Sequence, residues 1–187
     1  HLSIRRQRQM CIRDRQRFTH PKMYAESTGI QEPISTQDFE TFEMGLEPLA
    51  EAGKLGCILF QFPPSFHRSA EAEEVLEIVL QAFREYPKAV ELRHRSWSDH
   101  GEETEAFLRA HDSALVATDE PKFRDSIRQE FRPLGSMFYL RLHGRNREKW
   151  WKHESAEERY DYLYSEVELA PFAEKLRELA SSPELQK

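Results

Sequence analysis

Cysteine is almost missing from these 187 residues: Cys11 lies in a basic stretch and Cys57 in an apolar run. Two isolated cysteines make neither a disulfide framework nor a metal-ligand set. Long apolar runs are missing too. The longest, such as Cys57-Ile58-Leu59-Phe60, falls far short of the ~18 residues a membrane helix needs, and no signal-peptide core follows the Arg-rich beginning. The expectation is a globular, cytoplasmic protein with no membrane partner. Glycine is scarce, at 7 residues, and no Gly-rich phosphate loop occurs, so P-loop and dinucleotide-fold readings have no support. No GxSxG elbow presents Ser65 or Ser96 as a nucleophile. No HxH or HExxH spacing singles out metal ligands among His94, His143, Glu91 and Asp119, and the neighbouring arginines oppose a divalent cation. Neither metal nor cofactor is expected.

What is present is ordinary globular composition, with 39% hydrophobic and 32% charged residues. The length suits one domain with a sizeable core but is below the about 250 residues of a complete eight-unit α/β barrel. The net charge of −6 is uneven. Residues 1–18 hold six arginines against Asp14, which is +5, so the remainder carries −11. A basic arm of this kind is a candidate for touching nucleic acid, although the acidic body would repel a phosphate backbone. The plainer reading is that residues 1–16 are a non-native or disordered tail, with the stretch at 6–15 resembling translated adapter sequence; the domain is then 17–187.

Beyond the tail, short apolar strands alternate with amphipathic helices. Residues 17–24 are read as a strand edge. Ser35 or Thr36 caps a helix with Phe39, Phe42, Leu46, Leu49 and Ala50 on one face, which Pro48 is expected to break or kink. Strands are predicted at 56–62, 88–93, 113–118 and 136–143, with helices after Ser69, near 102–111, and after the capping box Ser165-Glu166-Val167-Glu168. The last helix is expected to turn Leu169, Phe172, Ala173, Leu176 and Leu179 inward. This alternation predicts βαβ units and a parallel sheet.

In an open doubly wound sheet the central strands are apolar on both faces. Here Ile58, Phe60 and Phe62 oppose Cys57, Leu59 and Gln61; Val90 and Leu92 oppose Ala89, Glu91 and Arg93; Phe138, Leu140 and Leu142 oppose Tyr139, Arg141 and His143. One face is apolar, and the other becomes polar toward the C-terminal end. A barrel explains this, with apolar residues facing outer helices and a lumen that opens into a site. The polar set there is Gln61, Glu91, Arg93, Asp119, Arg141 and His143, which either surrounds a ligand or forms a self-satisfying network.

Five motifs carry a family resemblance: Gly53-Lys54-Leu55-Gly56, Leu59-Phe60-Gln61-Phe62-Pro63-Pro64-Ser65-Phe66, Val90-Glu91-Leu92-Arg93-His94-Arg95-Ser96-Trp97, Asp119-Glu120-Pro121 and Tyr139-Leu140-Arg141-Leu142-His143-Gly144-Arg145. Together, from about residue 17 to 180, they resemble the YecE-like family, domain of unknown function 72. The resemblance implies an α/β fold of TIM type and supplies no reaction. Family members open with strands that have no counterpart here and close with a further strand. The expectation is therefore an incomplete TIM-type (β/α) barrel with parallel strands, lacking the first strands and the last. Such a fragment has open sheet edges, and the isolated chain is expected to show a marginal or absent cooperative melt; a sharp transition at high temperature contradicts that reading.

Arg93, Arg141 and Arg145, with Asn146 and Gln61, offer fixed donors suited to a carboxylate or phosphate, so a small anionic or phosphorylated ligand is expected. His143 and Glu91 are a candidate acid/base pair, although Arg93 lowers the basicity of Glu91; His143 serves equally well as a hydrogen-bonded lumen histidine. Asp119 either orients His143 or caps the next turn. Trp97 is placed on the binding rim, whereas Trp150 and Trp151 read as packing of a long loop and Tyr160, Tyr162 and Tyr164 as further rim aromatics, able to stack on a sugar or a base. The rival reading is a non-catalytic module in which the lumen charges are structural and the rim recognises nucleic acid or protein.

Overall fold

The computed structural model describes residues 16–21, 26, 34–129, 131–152, 158, 160–181 and 185. The basic tail up to residue 15 lies outside them. Helix α1, Thr36–Glu51, starts where the Asp38 carboxylate accepts the Ser35 N–H at 2.8 Å. Pro48 does not break it. In the last turn proline forfeits a single N–H, and the ladder ends three residues later anyway. Phe42 and Leu46 are buried, whereas Leu49 faces outward.

Residues 16–19 are helical, which corrects the expected strand edge over 17–19; residues 22–24 of that edge lie outside the described residues. The cause is docking on α1: Phe18 stacks on Phe39 at 4.9 Å and meets Phe42 and Phe83 edge-on, while Arg17 Nη2 donates to Asp38 at 3.2 Å.

Strand β1, Ile58–Gln61, leads through α2, Ala70–Ala82, to β2, Lys88–Glu91. Short α3, Arg95–Asp99, and α4, Gly101–Ala110, lead to β3, Ser113–Leu115, and β4, Ala117–Asp119. After a long connection come β5, Leu140–Leu142, and α5, Glu166–Ala180. All three ladders, β1–β2, β2–β3 and β4–β5, are parallel. They fall in two sheets that meet at Val116: its N–H bonds Val90 O at 2.9 Å, and the next N–H, of Ala117, bonds Tyr139 O at 2.9 Å. No closed barrel forms among the described residues.

One face carries the core. Ile58, Phe60, Phe62, Val90 and Leu92 pack with Leu76, Val79, Leu80 and Phe83 beneath α2. The strand predicted over 136–143 contracts to three residues because Gly135, at φ 77°, and the Leu134–Met137 bridge turn the chain back first. The expected inner face of α5 is also largely uncovered: only Leu179 is buried, while Leu169 and Leu176 meet solvent. No described helix is long and apolar enough to cross a membrane.

Candidate functional site

Parallel register brings the polar set together. Gln61 stands opposite Glu91, and Thr118 opposite Arg141, so alternation places Gln61, Glu91, Thr118, Arg141 and His143 on the face away from α2. Glu91, at the end of β2, is fully enclosed at 0% exposure and is the hub. Its Oε1 accepts Arg93 Nε at 2.8 Å, with Arg93 Nη2 at 2.7 Å, and its Oε2 accepts Arg141 Nη1, which also donates to Gln61 Oε1 at 2.8 Å. His143 Nε2 lies 3.4 Å from Glu91 Oε1 and has no aligned hydrogen bond among the described residues. Burial pushes the Glu91 carboxyl up, but His143, Arg93 and Arg141 outweigh it and hold the group at about 2.

The cations are not equally committed. Arg93 is buried, and Glu91, with Glu120 behind it, holds its charge against the penalty of burial. Arg141 keeps 27% of its side chain exposed, and among the described residues only its Nη1 is engaged. Glu120 is buried, and its Oε2 has no hydrogen-bond partner among the described residues. Burial lowers the Lys122 ammonium against the pull of Glu120 and Asp119.

Asp119 leaves this cup. It stands opposite Leu142 in the ladder, one residue out of phase with Arg141, so it points to the other face. There its carboxylate takes both arms of Arg145, at 2.8 and 3.0 Å, and the Tyr164 hydroxyl at 2.7 Å. Asp119 therefore does not orient the His143 ring; their link is the ladder bond from His143 N to Asp119 O, at 2.8 Å. Arg145 also meets Glu168 at 3.3 Å, and Tyr162 donates to that carboxylate at 2.5 Å. Arg145 is thus a strap between β4 and the start of α5 rather than a free ligand-binding arm. Asn146 is similarly spent on the carbonyls of Glu158 and Asp161, at 3.2 and 3.4 Å.

Trp97 is not on a rim. It is 1% exposed, donates to Phe66 O at 2.8 Å and stacks on Phe66. The four residues weighed as metal ligands are divided among three places: Glu91 with His143, Asp119 with Arg145, and His94 against His67, with ring centroids 3.8 Å apart.

A family model described as "Protein of unknown function DUF72" matches residues 6–186. The chain belongs to the DUF72 family. It is 32% identical over 171 residues to the UPF0759 protein YunF of Bacillus subtilis (strain 168), covering 84% of this chain and 61% of that protein. A DUF72 family crystal structure from Thermotoga maritima MSB8 matches with 43% identity and a TM-score of 0.71, covering 77% of this chain and 54% of the other. One from Enterococcus faecalis V583 matches with 25% identity and a TM-score of 0.71, over 82% and 58%. The chain thus spans between a half and two thirds of the length of these DUF72 relatives.

Reading the sequence of this DUF72 chain missed Glu120 and Lys122 beside the cup. For Glu120 the signal was available: two residues after Thr118, it continues the face that β4 turns toward Arg141.

Proposed function

We propose that this chain forms most of an incomplete TIM-type barrel whose strand C-termini hold a small anionic or phosphorylated ligand. Parallel ladders in chain order, with helical crossovers between β1, β2 and β3, support the barrel reading, since a doubly wound sheet reverses its strand order. The observation that carries the anion reading is Arg141: anchored by one nitrogen on an enclosed carboxylate, it keeps 27% of its side chain exposed and the rest of a planar donor fork unengaged among the described residues. Around the cup Arg93, Arg141 and Lys122 face the carboxylates Glu91 and Glu120, an excess of one positive charge among these five.

In this reading Glu91 is an anchor and not a base. A carboxylate held at about 2 under two guanidinium groups gives up little basicity to a substrate, and it has no open face. His143 is the remaining candidate for proton transfer, because its Nε2 has no aligned hydrogen-bond partner among the described residues. The same enclosure of Glu91 favours the non-catalytic alternative, in which the network serves the fold alone.

Calorimetric titration of inorganic phosphate into the 187-residue chain decides between them, with saturable binding expected. Arg141→Ala should erase that binding at the cost of only about 1 kcal/mol in stability, since Arg93 still pairs Glu91. Binding that persists in Arg141→Ala, or Arg141→Ala and His143→Ala variants that mainly unfold, overturns the anion reading.

A further inference from the structure

A second cavity of about 600 Å³ opens beside the cup and shares Arg93 with it. Its polar lining includes Glu120, whose buried Oε2 has no hydrogen-bond partner among the described residues, and the stacked pair His67 and His94. His94 Nδ1 accepts the Ser96 N–H at 3.2 Å, so in the neutral ring the proton sits on Nε2 as a donor. Phe123 and Trp151, 5.5 Å apart and inclined at 56°, form the apolar wall. Trp151 is 59% exposed, an indole face open to solvent at the cavity mouth.

These features select a ligand. Two arginines in the lining are offset by two carboxylates, so the cavity has fixed donors and acceptors without net charge. That pattern suits hydroxyl groups, which both give and accept hydrogen bonds, more than a second anion. One exposed aromatic face beside them suits a ring with an apolar C–H face. A nucleobase in a slot is less well served: Phe123 is inclined to Trp151, and its own ring carries Arg147 at 4.9 Å.

We propose that this cavity holds the sugar ring of an anionic monosaccharide whose phosphate or carboxylate reaches the Arg141 cup. The inference rests on the anion reading above and names its substrate class. Trp151 is the platform for the ring, and Glu120 accepts its hydroxyls.

Titration calorimetry on the 187-residue chain, with inorganic phosphate, the 6-phosphates of glucose, mannose and galactose, and adenosine monophosphate, tests it. At least one hexose phosphate is expected to bind tenfold or more tighter than inorganic phosphate. Trp151→Ala should return that hexose phosphate to the phosphate value while leaving inorganic phosphate unchanged, and Glu120→Gln, which also alters the charge of the cup, should shrink the ratio of hexose phosphate to phosphate affinity. Phosphate bound with no gain from any sugar overturns the sugar cavity and keeps the anion cup. Adenosine monophosphate as the tightest ligand, with the same loss in Trp151→Ala, reassigns the wall to a base. No binding of phosphate or of any sugar phosphate defeats the cup and the cavity together.

Discussion

Glu91→Gln is expected to cost about 3–5 kcal/mol of folding stability, a large share of what a domain of this size possesses. The substitution keeps the shape and leaves Arg93, Arg141 and His143 gathered around a neutral amide that is itself sealed from solvent. Removing one partner of a buried ion pair strands the other charges, which is why the loss exceeds that of a surface pair. Urea denaturation of the variant against the parent measures it; a change under about 1 kcal/mol contradicts the hub assignment.

The same carboxylate sets an acid limb. Its folded value of about 2 lies below the ordinary 4.5. A depressed acid contributes stability that is fully present above the unfolded value and is lost as the pH falls through 4.5 toward 2. The contribution is about 3 kcal/mol. Stability should therefore fall between pH 5 and 2 in the parent, and the Glu91→Gln variant should lack that part of the fall.

Gly144→Ala is the second large effect, about 2–4 kcal/mol. Gly144 follows the β5 end at φ 84°, a conformation that costs side-chain-bearing residues about 1 kcal/mol. Space is the larger problem. An added Cβ would lie 2.7 Å from Tyr162 Cβ, a close approach to a segment held at both flanks: Tyr162 donates to Glu168, and Tyr164 O–H bridges the Gly144 N–H and Asp119. Relief would pull the strap between β4 and α5 apart. Gly53 provides the control, with φ 63° and nothing within 4 Å of an added Cβ, so Gly53→Ala should lose only the conformational part. Equal losses in the two variants contradict the steric account.

The cup was legible in the sequence because period-two alternation is a local property. Gln61, Glu91, Arg93, Arg141 and His143 each fall at a strand end on the polar phase, and the parallel register completes the set. Asp119 was misassigned to it for the same reason that Glu120 was overlooked: type was weighed ahead of phase. In β4, Thr118 and Glu120 share a face, and Asp119 belongs to the other. Arg145 and Asn146 were read as free donors because nothing in a linear sequence shows that Asp119, Glu168 and two carbonyls across the loop consume them. Trp97 followed a strand end as a rim residue would, but α3 folds back and seals it against Phe66. Trp151 shows the reverse, assigned to packing and found open to solvent.

On the proposed reading Arg141, freed on one edge and anchored on Glu91, is the cation that meets the ligand. Arginine side-chain NMR during titration with inorganic phosphate tests this most directly, because it separates guanidinium groups that differ in commitment. The Arg141 Nε–Hε resonance is expected to shift saturably and first, with Arg93 following through Glu91 and Arg145 unmoved beneath Asp119 and Glu168. A saturable shift confined to Arg145, or none in any of the three in a chain that remains folded, contradicts the account.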